Sequence, residues 1–229
     1  MNSKNVIRLD GATGIAAEQV GQRSARLAEP AREGIRGPES FAVTATAYRE
    51  FVREAGLVPV IAREIRRYRA GRDVVVVAAE IRTAFCEASL PSALTAEILA
   101  AYEELGGDGT EVAVRNSPTG TQPDVVDQAF LHLCTGADVL AACRRCFASL
   151  FSAVAVSNRE QQGVDHLATA MPVIVQRMVR AGLGRSATVR DKTYLVDVHP
   201  RALPAATIDG PARAVRIVHP VRAKEGNRQ

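Results

Sequence analysis

A helix that stops at two glycines and leads directly into an alternating strand is the feature that most restricts how this chain can fold. The stretch SLPSALTAEILAAYEELGG repeats apolar residues at intervals of three and four, at Leu94, Ile98, Leu99 and Tyr102. This spacing is typical of a helix with one buried face, and Gly106 ends it. TEVAVR then alternates apolar and polar residues as a half-buried strand does. The pair predicts a fold that mixes helices and strands.

Upstream segments carry signals of the same kind. Apolar residues at helical spacing predict a first helix that ends near Glu33. A short strand is predicted at Phe41–Val43, and Thr44 is a suitable N-cap for the helix that follows it. Gly56 is the expected end of that helix.

Downstream, one segment predicts a helix, one predicts a strand and one is ambiguous. A broad apolar face favours a single long helix from Ala137 to about Asn158, and the β-branched run Pro172–Val179 favours a buried strand. In DVVVVAAEIRTAF the valines favour a strand, whereas the later alanines and Ile81 favour a helix. Periodicity alone leaves that choice open.

The sequence divides into three predicted parts. Residues 1–17 form a polar leader, and residues 18–198 form the main domain. Residues 199–229 are rich in Pro, Ala and Arg and are expected to be a loosely packed tail, with a short strand at Ala214–Val218.

The composition restricts the expected cellular compartment and the expected classes of binding partner. No run of 18 apolar residues occurs and the N-terminus lacks the apolar core of a secretory signal, so we expect a cytoplasmic protein with no membrane partner. Four cysteines in a chain of this length are expected to be free thiols. The net charge of +4 is concentrated partly in Arg63–Arg72, which is typical of a solvated face. An aromatic content of 4% without tryptophan argues against nucleic acid.

Two small constellations have simpler structural explanations. Cys143 and Cys146 have C-x-x-C spacing, but no second pair accompanies them, so packing is favoured over zinc or redox chemistry. Asp165 and His166 could suggest acid–base chemistry, yet adjacent residues need not face one another.

Four blocks between Val20 and Ala181 follow one another in an order that is typical of one family. They are SFAVTATAYREFVREAGL, LTAEILAAYEELGGDGTEVAVRNS, CRRCFASLFSAVAVSNREQQGVDH and VIVQRMVRA. Together they resemble the N-terminal ATP-binding domain of phosphoenolpyruvate synthase, which also occurs in pyruvate phosphate dikinase and rifampin phosphotransferase. The resemblance implies an α+β fold, namely an incomplete ATP-grasp-like N-terminal lobe with a small mixed sheet flanked by helices.

The same resemblance implies candidate nucleotide-binding residues. In VGQRSARLAE, Arg23 stands where relatives have the lysine of a GGKG turn. VRNSPTGTQ keeps Arg115 and Ser117 of a VRSSATAED block, which makes Arg115 the main phosphate candidate. VQRMV, which borders the adenine pocket in relatives, supplies Gln176 and Met178.

Simpler readings of these residues stay open, and the pattern also departs from the family. Arg115 could instead pair with a carboxylate at a strand end, and Gln176 could be one polar residue in a buried strand. The departures are Pro118, Thr121 and Gln122 in the arginine block, Val125 in place of a phosphate-cradling glycine, and Ala129 in place of a threonine. These changes indicate a damaged phosphate site.

The resemblance implies a phosphotransferase-type domain that binds ATP weakly and has weak or no catalysis alone, with Mg²⁺ left open. Asp191, Asp197 and Asp209 are too scattered for the family's metal-binding acidic cluster, and no histidine has the setting of its phosphoryl carrier. One alternative is a subunit of a split phosphotransferase that a partner chain completes. Another is a non-catalytic regulatory protein whose stretch Arg63–Arg72 or tail contacts an acidic partner. Whether the chain is itself an enzyme stays open.

Overall fold

Five strands form an open sheet. The computed structural model describes residues 5–9, 14–32, 39–119, 128–178, 185–189, 192–197 and 216–220. The strands are β1 (Val6–Arg8), β2 (Ser40–Val43), β3 (Val112–Asn116), β4 (Ala129–Leu133) and β5 (Val173–Arg177). Their order across the sheet is β1-β2-β5-β3-β4. The strands predicted at Phe41–Val43 and within Pro172–Val179 are confirmed.

The described pairings of this sheet are all antiparallel, so the prediction of a mixed sheet is wrong. β2 and β3 do run in the same direction, as strands joined by a long helical connection can. However, β5 lies between them and pairs with both, so these two strands do not become neighbours.

Seven α-helices occur in the described residues, and most of them lie between β2 and β5. They are α1 (Ala17–Arg32), α2 (Ala45–Glu54), α3 (Leu57–Arg69), α4 (Val74–Glu87), α5 (Ser92–Glu104), α6 (Gly136–Ala148) and α7 (Ala153–Gln162). The Thr44 cap is confirmed, since its side chain accepts a hydrogen bond from the Ala47 N–H. The helix predicted before Gly106 is confirmed as α5.

Two segments differ from the simplest reading of their apolar pattern. The ambiguous valine run is helix α4, because Asp73 caps Val75 and the residues Val77, Ile81 and Phe85 repeat every four positions on the buried face. The long helix predicted over Ala137–Asn158 is broken into α6, a 3-10 turn at 149–151, and α7. The break occurs because Ser152 adopts an extended conformation and caps the second helix.

The two faces of the sheet are covered differently. Val112, Val114, Val173 and Val175 point into the main core under α2 to α7. Its aromatic centre is the set Tyr48, Phe51, Phe85, Phe147 and Phe151. The opposite face carries Ala42 and Ile174, which join a smaller apolar cluster with Val20 of α1.

A second, three-stranded antiparallel sheet follows later in the chain. It contains β6 (Arg185–Val189), β7 (Lys192–Asp197) and β8 (Arg216–Pro220), in that order. β8 overlaps the strand predicted at Ala214–Val218, and β1 lies within the predicted leader. The boundaries at residues 18 and 198 remain predictions.

Within the described residues, no individual helix has the length and apolar character of a membrane span. The bent pair Gly136–Phe151 and Ala153–Gln162 meets those two criteria only when its parts are taken together.

Candidate functional site

Strand register places Arg115 and Gln176 on the face of the sheet that α1 partly covers, here called the α1 face. Arg115 lies opposite Ile174 on β5, and Gln176 lies opposite Ala113 on β3. Side chains two residues apart on a strand share a face, so Arg115 and Gln176 are diagonal neighbours there. On the other side of β3, Ala129 is the cross-strand partner of Arg115.

The Arg115 side chain is half-buried, and its charge lacks a described counterion. Its Nε is buried and has no hydrogen-bond partner among the described residues. Among the residues that the structure describes, no carboxylate lies within ion-pair distance of its guanidinium. The alternative in which Arg115 pairs with a neighbouring carboxylate therefore has no described partner. A buried donor left unsatisfied costs about 1–3 kcal/mol, which an anionic ligand would relieve.

A kink at Gly21 brings α1 against the end of β3. Gly21 has φ 80° and ψ 162° inside the helix, and a Cβ there would overlap the carbonyl oxygen of Ser117. The Ser24 N–H and hydroxyl both donate to the Ser117 Oγ, each at 3.1 Å. The Gln22 N–H donates to the Pro118 carbonyl oxygen at 3.3 Å. Ser117 is fully buried, so its hydroxyl helps to fix the position of α1.

Arg23, on the same turn of α1, also reaches the end of β3. Its Nη1 donates to both the carbonyl oxygen and the side-chain Oδ1 of Asn116, each at 3.1 Å. Arg23, Arg115 and Ser117 therefore all lie at one end of β3. Sequence reasoning missed Asn116, whose only signal is its position between a strand and a run of turn formers.

Gln176 and Met178 lie toward the opposite end of the α1 face. Gln176 is half-buried, and Met178 follows β5, where its N–H donates to the Glu111 carbonyl oxygen at 2.8 Å. The Met178 Sδ accepts from the N–H of His132, which has φ 57° beside a bulge in the β3–β4 pairing. Four residues of strand separate Arg115 from Glu111, or about 13 Å.

The structure therefore places Arg23, Arg115 and Ser117 at one end of β3, with Gln176 diagonal to Arg115 and Met178 about 13 Å along the sheet from it. The roles of these side chains remain predictions. Thr121, Gln122 and Val125, which carry part of the predicted damage, lie outside the described residues.

A second polar cluster, which sequence reasoning did not predict, joins α3 and α7. Arg159 Nε donates to His166 Nδ1 at 3.0 Å, so the ring proton lies on Nε2, which donates to Glu160 Oε1 at 3.0 Å. Arg69 makes two hydrogen bonds to Glu160, at 2.7 and 2.8 Å. Together with residues 163–165, three of these side chains line a surface depression of about 260 Å³.

The surroundings lower the pKa values of both Glu160 and His166. Hydrogen bonds from Arg69 lower the pKa of Glu160 to about 2. Burial, and then the charge of Arg159, lower the pKa of His166. Because both ring nitrogens are engaged and the ring is buried, His166 is poorly placed for the acid–base role considered with Asp165.

The remaining sequence signals also resolve into packing and ion pairs. Cys143 and Cys146 are buried thiols in the main core, and burial raises the pKa of Cys143 to about 12. In the stretch Arg63–Arg72, four of the five arginines lie within ion-pair distance of described carboxylates: Arg63 and Arg67 of Glu64, Arg69 of Glu160, and Arg72 of Glu80. This surface is therefore less positive than the sequence indicates.

Mg²⁺, which the resemblance leaves open, has no evident site in the described residues. Within those ranges, no group of three or more His, Cys, Asp or Glu side chains is arranged to hold a metal ion.

Comparison with known proteins gives one consistent result. Residues 17–193 match the family described as pyruvate phosphate dikinase, AMP/ATP-binding domain. A probable phosphoenolpyruvate synthase from Methanocaldococcus jannaschii is 33% identical over 193 residues, which is 78% of this chain and 16% of that protein. A phosphoenolpyruvate synthase from Pseudomonas aeruginosa is 36% identical over 193 residues, 78% of this chain and 24% of that protein.

A rifampicin phosphotransferase from a Streptomyces species is 32% identical over 187 residues, 78% of this chain and 22% of that protein. The chain thus spans a quarter or less of the length of these relatives. The family match nevertheless covers most of this chain, including α1 and the whole five-stranded sheet apart from β1. This chain belongs to the family of pyruvate phosphate dikinase AMP/ATP-binding domains.

Proposed function

We propose that this domain binds ATP on the α1 face of its sheet, with the Arg115 guanidinium as a phosphate ligand. The observation that carries the proposal is the buried Nε of Arg115, which has no hydrogen-bond partner in the described ranges and lies on the same face as Gln176. A guanidinium is suited to phosphate because its planar fork can donate two parallel hydrogen bonds. On this proposal the sheet and α1 form an ATP-grasp-like lobe, and Gln176 and Met178 contact the base.

We expect the affinity to be modest. Ser117 is fully buried and accepts two hydrogen bonds from Ser24, so this predicted phosphate ligand already serves the packing of α1. Any rearrangement needed to free it would reduce the net binding energy. The described ranges also lack a metal-binding cluster that could neutralise a triphosphate. These features fit a domain with weak or no catalysis alone, working in the cytoplasm, where free thiols persist.

Thermal unfolding in the presence of ATP tests the proposal. A ligand that binds only the folded state raises the unfolding midpoint, by an amount that grows with ligand concentration. We expect millimolar ATP to raise the midpoint of the wild type and to have much less effect on Arg115→Ala. Arg66→Ala is the matched control, because Arg66 is an exposed arginine on α3, under the other face of the sheet. No midpoint change with ATP, or an equal change in Arg115→Ala, would refute the proposal.

A second proposal concerns the reaction that the bound nucleotide serves. The relatives that this chain matches are synthases and a phosphotransferase, and the chain corresponds to 16–24% of their length. We propose that the domain presents ATP for phosphoryl transfer to a histidine supplied by another domain or chain. Labelled ATP should then be cleaved only when such a histidine-bearing domain is added. Equal ATP cleavage by this chain alone would contradict the proposal.

A further inference from the structure

Asn116 is a buried residue at the end of β3 whose side chain joins three parts of the fold. Its Oδ1 accepts from Arg23 Nη1 and from the Gln128 N–H, both at 3.1 Å. Its Nδ2 donates to Ser149 Oγ at 3.0 Å. The residue is fully buried, so water does not compete for these bonds.

The partners of Asn116 fix the orientation of its amide. Arg23 and the Gln128 N–H can only donate, so they require the amide oxygen on their side. On the other side, the Ser149 hydroxyl donates to the Cys146 carbonyl oxygen at 2.6 Å and is left to accept from the Asn116 Nδ2. A flipped amide would place its NH₂ against two donors. The oxygen that holds Arg23 therefore has one stable position.

The same residue also contacts Arg23 through its backbone. The Asn116 carbonyl oxygen accepts from the same Nη1 at 3.1 Å, so two acceptors of one residue converge on a single guanidinium nitrogen. This arrangement fixes the Arg23 guanidinium at the end of β3, the strand that also carries Arg115. In addition, the Asn116 N–H donates to the Gln128 carbonyl oxygen at 3.2 Å, which ties the start of β4 to the same point.

We propose that Asn116 is a positioning residue that holds Arg23 where it contacts the phosphates of a nucleotide bound at Arg115. This inference rests on the proposed ATP binding. In this role Asn116 does not contact the ligand, and its effect on affinity acts through Arg23. A purely structural role would instead lower stability without changing the contribution of Arg23 to affinity.

A double-mutant cycle distinguishes these roles. The dissociation constants of ATP and of inorganic triphosphate would be measured by calorimetry for the wild type, Asn116→Ala, Arg23→Ala and the double variant, with unfolding midpoints in parallel. We expect each single change to weaken binding by about tenfold, or about 1.4 kcal/mol, because each removes or displaces a charged hydrogen-bond donor to phosphate. The double variant should be no weaker than Arg23→Ala alone. Additive losses, or an unchanged affinity in Asn116→Ala, would overturn the inference.

Two further variants make the test robust. Ser149→Ala removes the other side-chain partner of Asn116 and should lower the midpoint without changing affinity; a loss of affinity equal to that of Asn116→Ala would count against a specific role for Arg23. Asn116→Asp keeps an acceptor for Arg23 if Asn116→Ala does not fold, so adding Arg23→Ala to Asn116→Asp should still weaken triphosphate binding. Absence of that further loss would contradict the inference.

The outcomes also separate this inference from the proposed function. If the wild type binds ATP and triphosphate but Asn116→Ala binds both equally well, the positioning role fails and ATP binding stands. If the wild type binds neither, both proposals fail.

Discussion

At the scale of single residues, Gly21 is the position that most directly controls how α1 meets the sheet. Its φ of 80° is unfavourable for other residues, and a Cβ would overlap the Ser117 carbonyl oxygen. We expect Gly21→Ala to lower the free energy of unfolding by about 3 kcal/mol or more, from backbone strain and steric overlap combined. Urea denaturation measures this change.

Gly14→Ala separates the two causes. Gly14 has φ 78°, but no atom of the described residues lies within 4 Å of a Cβ built there. Its replacement should therefore cost only the strain, roughly 1–2 kcal/mol. If the two variants were equally stable, the close contact between α1 and Ser117 would be wrong.

Residue-level reading of the sequence identified Arg23, Arg115 and Ser117 but could not assign their contacts. The sequence blocks that resemble the family identify these positions. Their hydrogen bonds, however, depend on the kink at Gly21, which the apolar periodicity of the sequence does not predict. Asn116 was missed for the same reason. Its partners lie 93 and 33 residues away in the sequence, at Arg23 and Ser149.

At the scale of elements, a polar cluster connects α3 to α7 and should make stability depend on pH. It consists of Arg69, Glu160, His166 and Arg159. The folded-state pKa of His166 is lowered from 6.5, so the unfolded chain binds a proton more readily and stability falls as pH drops through that range. The folded-state pKa of Glu160 is about 2, against 4.5 for a free side chain, so its contribution is lost as pH falls from 4.5 toward 2. Both effects destabilise the protein in acid.

We expect the urea midpoint of the wild type to fall between pH 7 and pH 5, and this slope to flatten in His166→Gln. Glutamine can still accept from Arg159 and donate to Glu160, but it does not titrate. A steeper or unchanged slope in His166→Gln would show that other groups cause the pH dependence.

Helices and strands were predictable wherever a periodic apolar pattern was bounded by a residue that typically caps or ends a helix. The strand before Thr44 and the helix before Gly106 have both signals, and both are confirmed. The apolar face of Ala137–Asn158 continues through a break that Ser152 creates, so periodicity alone merged two helices. The antiparallel sheet was missed because it depends on β5 entering between β2 and β3, a long-range pairing that no local pattern shows.

At the scale of the whole molecule, the two core cysteines report on global unfolding. Cys143 and Cys146 are fully buried, whereas Cys86 is exposed and Cys134 is partly exposed. In a Cys86→Ala, Cys134→Ala background, thiol labelling should therefore require unfolding, because the buried Cys143 thiol has a pKa of about 12. Mass spectrometry should show labelling that is slow in buffer and fast in urea.

ATP should slow this labelling further, since a ligand of the folded state reduces the unfolded population. The same protection should be absent in the Arg115→Ala variant of that background. Rapid labelling of both core thiols under native conditions would contradict the described packing.

The central claim is that the Arg115 guanidinium receives a phosphate from ATP on the α1 face, and its Nε–H is the group that reports on this directly. That signal can be observed by NMR of arginine side chains and assigned by its loss in Arg115→Lys. We predict that it shifts progressively and saturably as ATP is added, because the Nε gains the partner that it lacks among the described residues. A signal that stays unchanged while ATP saturates the protein would contradict the claim.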